Sequence, residues 1–127
     1  SKFYGPDFYN HTWNILIRPE LMDNPDLLTR FIKALAEAND FFKKNPETSI
    51  QTASKYTRID PAHLHKMFSS MDVGLGLDQS LIYNLEKHSN WLIKHKNYNV
   101  SNYPNFFRFI DTTFLKSVIP DEVTIIN

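Results

Sequence analysis

Three times in the first half of the chain a capping residue is followed directly by proline, at Asn24-Pro25, Asn45-Pro46 and Asp60-Pro61. Proline disrupts helix interiors and central strands, but it suits the first helical position, where its missing N–H would have had no partner. An Asn or Asp just before it can accept a hydrogen bond from the free N–H groups of the first turn. The spacing therefore predicts helices starting at these three points. In the first, Leu27, Leu28, Phe31, Ile32, Leu35, Ala38 and Phe42 form a broad apolar stripe, with Asp26 at the positive end of the helix dipole and Lys43-Lys44 at the negative end. The second carries Ile50, Ala53 and Tyr56, and the shorter third Leu64, Met67 and Phe68. The starts lie 21 and then 15 residues apart, so they are separate helices and not a fixed-period repeat.

Elsewhere the period changes. Trp13, Ile15 and Ile17 alternate with other side chains, as in a strand, and Pro19 predicts its end near Arg18. "MDVGLGL" places Met71, Val73, Leu75 and Leu77 on one side of a short extended segment, with Asp72, Gly74 and Gly76 on the other. Asp78 is read as the cap of a fourth helix whose inner side holds Leu81, Leu85, Trp91 and Leu92, with Lys94, His95 and Lys96 at its carboxyl end. A last helix is expected from Pro104 or Asp111 to Val118, stopped by Pro120, and "VTII" at residues 123–126 reads as a terminal strand. The expected fold class is α/β and helix-dominated, with about five helices and a few short strands. At 127 residues the chain is expected to form one domain, residues 1–127.

Composition removes several functions. With 14 basic and 14 acidic side chains the chain has no net field to draw in nucleic acid or an anionic membrane. No apolar run approaches the roughly 20 residues that span a bilayer, and the first residues lack the basic-then-apolar pattern of a signal peptide. The absence of cysteine excludes disulfides, cysteine nucleophiles and thiolate metal sites, and leaves the compartment open.

Chemistry-bearing patterns are sparse. Gly74-Leu75-Gly76 before a helix suits a phosphate loop in principle, yet no Lys-Ser or Lys-Thr follows and Asp78 puts negative charge where phosphate would sit. A short strand with small residues on a crowded face is the simpler reading. His63 and His65 are two apart and do not share a helix face. His88 and His95 are two turns apart with no evident acidic ligand beside both, so no metal site and no cofactor are expected. Asp111, His88 and a serine make a triad only on paper. Catalytic residues are therefore expected to be none. Aromatic residues cluster in "KFYGPDFYNHTW" and "NYPNFFRF"; Phe106, Phe107 and Phe109 suit an ordinary core better than a ligand cleft. Tyr9, Asn10, His11 and Thr12 lead into the first strand, where a hinge or cleft edge would hold mixed polar and aromatic groups, and they are the candidate ligand-binding residues.

Taken in order, "RPELMDNPDLLTRF", "FFKKNPE", "QTASKYTRIDPAHL", "LDQSLIYNLEKHSNWLI", "NYPNFFRFIDTTFLKSV" and the closing "PDEVTII" resemble the carboxy-terminal part of the solute-binding proteins of ABC importers for nitrate, taurine, sulfonates and thiamine precursors, the NMT1/THI5-like family. The likeness runs over residues 9–126, and the hinge with its following "FFKKNPE" is its most specific piece. It implies a partial lobe of the type II periplasmic-binding-protein kind, a small-molecule ligand in the full-length protein, importer membrane subunits as partners, and a periplasmic or extracytoplasmic location. The family fold has two α/β lobes around a cleft, and this chain corresponds to less than half of it. Ligand identity therefore does not carry over. One branch of the family uses a histidine and a cysteine cluster in pyrimidine synthesis, and a chain with no cysteine departs from that pattern.

The resemblance leaves two functions open, solute binding for import without catalysis, or a sensory or protein-interaction module built on the same fold in a membrane receptor or signalling protein. In the family fold residues 13–17 and 123–126 would lie beside strands this chain does not possess and so have open edges, which predicts a homo-oligomer in which one of these segments pairs or packs across chains, unless the helices fold back to cover them or the short strands pair with each other within one chain.

Overall fold

The computed structural model describes residues 12–96 and 104–126, and these are dominated by five α-helices. They are α1, Pro25–Lys44; α2, Pro46–Thr57; α3, Pro61–Phe68; α4, Gln79–Lys96; and α5, Thr113–Val118. Short 3₁₀ turns lie at Pro19–Asp23, Phe106–Phe109 and Pro120–Glu122.

Capping chemistry sets the helix starts. The Asn24 side chain accepts from the Leu27 N–H at 3.2 Å, and Asp60 accepts from the Ala62 N–H at 2.8 Å. Asp78 Oδ1 accepts from both the Ser80 N–H at 2.8 Å and the Ser80 hydroxyl. Asn45 behaves differently. Its side chain does not cap α2; Nδ2 donates back to the Phe41 carbonyl, at 3.3 Å, and so closes α1. Helix α2 ends at Arg58, whose φ of 60° lies in the left-handed region, with its N–H donating to the Ser54 carbonyl. The last helix begins near Asp111, whose carboxylate accepts from the Thr113 N–H at 2.7 Å. It does not reach back to Pro104, because a separate 3₁₀ turn capped by Asn105 precedes it.

Helix α1 packs on α5 and α2, α2 on α3, and α4 on the Phe106–Phe109 turn. Among the described residues the buried side chains are Leu28, Ile50, Leu64, Ile82 and Leu115, of which only Leu64, 1% exposed, is fully buried. Phe42 and Phe68 meet edge to face, ring centroids 5.0 Å apart, which ties α1 to α3. This core is small.

Several inward assignments need correction. Leu28 is buried and Ile32, Leu35, Leu81 and Leu85 are half-buried, but Phe31, Tyr56, Met67, Trp91 and Leu92 are exposed. In α4 the most deeply buried residue is Ile82, not one of the predicted set. That helix has apolar residues on all sides, so periodicity does not fix which side turns inward.

The strand expectations are also corrected. Among the described residues the only β pairing is an isolated parallel bridge between Leu77 and Val123. Leu77 N–H donates to the Glu122 carbonyl and Thr124 N–H to the Leu77 carbonyl, both at 2.9 Å. The terminal segment therefore pairs within the chain. Residues 12–18 have no assigned secondary structure. An alternating pattern becomes a strand only beside a neighbouring strand, and no β structure is assigned to these residues.

Candidate functional site

Of the candidate ligand residues, Tyr9, Asn10 and His11 lie outside the described residues. Thr12 is exposed, and its hydroxyl accepts from Asn14 Nδ2 at 3.3 Å, a local contact. The described part of this group lines neither of two surface clefts.

The larger cleft, about 440 Å³, lies between α2 and α3 and is lined by Glu47, Ile50, Gln51, Pro61, Ala62, His65 and Lys66. His65 Nε2 stands 3.4 Å from Glu47 Oε1 across its mouth, and both side chains are largely in solvent. Ile50 and Pro61 give it an apolar floor, and Gln51 and Lys66 supply polar edges. The pairing of residues 47 and 65, on different helices, left no signal in the sequence.

The second cleft is an apolar groove of about 240 Å³ between α1 and the extended segment before α4. Leu35, Ala38, Asn39 and Phe42 form one wall and Val73, Gly74 and Leu75 the other. In this segment Val73, Leu75 and Leu77 are half-buried while Asp72, Gly74 and Gly76 are exposed, as predicted, but Met71, assigned to the same side as Val73, is exposed. The glycine face is open rather than crowded. A Cβ at Gly74 would have nothing within 4 Å, and one at Gly76 would meet the Glu122 carbonyl at an ordinary 3.5 Å. The Asn39 amide oxygen is buried without a hydrogen-bond partner, a cost of about 1–3 kcal/mol for a neutral polar group.

The remaining polar residues are engaged locally. The Asp78 carboxylate occupies the position at the start of α4 where an anion would have to sit. His63 Nδ1 lies 3.7 Å from Asp60 Oδ1, so the two neighbouring histidines face different carboxylates. His95 stacks on Trp91 at 4.9 Å between centroids, and its Nδ1 lies 3.0 Å from the Trp91 carbonyl oxygen. Asp111 serves as a helix cap. Phe106 and Phe107 are half-buried, whereas Phe109 is 79% exposed. Among the described residues no three His, Asp or Glu side chains gather as metal ligands, and no helix is long and apolar enough to cross a membrane.

Exposed apolar side chains in the first third of the chain stand out more than either cleft. Trp13 is 81% exposed, Leu16 92%, Ile15 53% and Ile17 39%, and Leu21, Met22 and Phe31 are exposed as well. Compared with protein-family models, curated proteins and solved structures, the chain matches none of them.

Proposed function

We propose that this chain is the helix-rich carboxy-terminal portion of a two-lobed solute-binding protein serving an ABC-type importer outside the cytoplasm, where it helps to hold a small metabolite without changing it. The reading rests on the ordered resemblance of residues 9–126, which includes the Asn24-Pro25, Asn45-Pro46 and Asp60-Pro61 starts. The observation that carries it furthest is the exposure of the apolar residues Ile15, Leu16 and Ile17, to which no β structure is assigned. In a type II binding-protein lobe such a stretch lies inside a sheet. Solute affinity in this reading comes from closure of two lobes over the ligand, which an isolated half-cleft does not provide.

The test is uptake in the source organism after disruption of the gene. Loss of uptake of one solute among taurine, alkyl sulfonates, nitrate and thiamine precursors is expected, and undiminished uptake of all of them overturns the import reading. The second reading, a protein-interaction module of the same fold, draws on the extent of the exposed apolar surface relative to two open clefts. Undiminished uptake together with recovery of the chain in a complex with a membrane receptor supports it.

A further inference from the structure

The groove between α1 and residues 73–75 holds one polar side chain in an otherwise apolar lining. That side chain is Asn39, and its amide oxygen is buried with no hydrogen-bond partner. Buried acceptors of this kind are uncommon, and each calls for a reason. Packing does not supply one, because a leucine at the same position would leave no orphan group. Nor does water, since a buried water makes about three hydrogen bonds and the neighbouring side chains Leu35, Ala38, Phe42, Val73 and Leu75 offer none. We propose that the groove is a binding site for a small neutral ligand, a compact apolar ring system carrying one hydrogen-bond donor, and that Asn39 Oδ1 accepts from that donor. The inference stands on this geometry and does not rest on the import reading.

Size and charge define the class of ligand. The groove volume of about 240 Å³ exceeds the roughly 150 Å³ cavity that holds a benzene ring and falls short of the about 300–1,000 Å³ of sites for drug-sized ligands. It suits one ring or two fused rings. No charged side chain lines it, so an ionised ligand would lose its hydration and find no counter-charge. A neutral donor loses far less and meets an acceptor already removed from water. Entry falls to residues 72–76, which are pinned at both ends. The Met71 N–H donates to the Phe68 carbonyl at 3.2 Å, and the Leu77 N–H to the Glu122 carbonyl at 2.9 Å. Between these pins, among the described residues, no backbone hydrogen bond to backbone holds the segment. It therefore shifts outward and bares the Asn39 oxygen without breaking one, and at Gly74 nothing lies within 4 Å of where a Cβ would stand. An acceptor left unsatisfied in the free chain lowers stability, a trade that binding sites commonly make.

The experiment is an amide-resolved NMR titration of the chain with indole and, separately, with benzofuran. The two probes share one fused-ring shape, and only indole carries an N–H donor. Indole is expected to shift the signals of residues 35–42 and 72–76 saturably, with a Kd on the order of 1 mM for a ligand of this size. Benzofuran should bind about fivefold or more weakly, the difference one neutral hydrogen bond makes. In Asn39→Ala, which removes the acceptor and leaves the groove open, the two probes should bind within about twofold of each other. The contrast between the probes in the parent needs no variant, and the spectrum of Asn39→Ala itself shows whether its fold is kept. Indole that shifts no signal in these two segments at about ten times the expected Kd overturns the proposal. Equal affinities of the two probes for the parent also overturn it, as does a preference for indole that survives in Asn39→Ala.

Discussion

Replacing Asn39 with leucine should make the chain more stable, against the usual outcome of a single substitution. The Asn39 amide oxygen is buried with no partner, and the neighbouring groove residues Leu35, Ala38, Phe42, Val73 and Leu75 are apolar. Removing an unsatisfied buried polar group recovers about 1–3 kcal/mol. Leucine is also the better helix former, by roughly half a kcal/mol, at a position inside α1. Together these give about 1.5–3.5 kcal/mol, which at a urea m value of about 1–3 kcal/mol per molar moves the unfolding midpoint up by roughly 1 M. The assay is urea unfolding followed by circular dichroism. Asn39→Ala, which removes the amide and adds no new packing, should lie between parent and Asn39→Leu. A midpoint that is unchanged or lower in both variants would refute the reasoning, because it would mean that the oxygen has a partner worth keeping.

Other substitutions test the local readings. Arg58→Gly relieves a left-handed residue at the end of α2 and should raise stability by about 0.5–1 kcal/mol, a few degrees in Tm; a fall in Tm contradicts it. Asn24→Ala and Asp60→Ala should each cost about 1 kcal/mol in urea unfolding, while Asn45→Ala costs only a few tenths, because Asn45 does not cap the helix it precedes; equal losses at all three sites would show that the observed hydrogen bonds do not set the energetics. Leu64→Ala removes the most buried side chain of a small core and should cost about 2–5 kcal/mol, enough to abolish a cooperative transition. Calorimetry of the isolated chain against taurine, alkyl sulfonates, nitrate and thiamine precursors should show no strong heat, and sub-micromolar binding of any of them would mean that half a cleft suffices.

What the sequence made legible is what local chemistry decides. Asn24, Asn45, Asp60 and Asp78 mark helix starts to within a residue, since capping and the proline restriction act over a few neighbouring positions. Even there the role of Asn45 was hidden, because whether its amide turns forward to α2 or back to α1 depends on the angle between the helices. The inner side of α4 was misplaced onto Trp91 and Leu92, when Ile82 is the buried residue, because an all-round apolar helix is oriented only by what packs against it. The strands failed for a related reason. Alternation at residues 13–17 records a preference for a pleated surface, and that preference becomes structure only beside a partner strand. Of the proposed ligand residues, Thr12 shows only a local contact to Asn14. Both clefts join residues far apart in sequence, Glu47 with His65 and Asn39 with Val73, for which a single chain offers no advance sign.

The most direct test of the central claim, that this chain is part of a solute-binding protein of an importer, is uptake of taurine, alkyl sulfonates, nitrate and thiamine precursors after disruption of the gene. The account predicts loss of uptake of one of these solutes. Undiminished uptake of all four would contradict it.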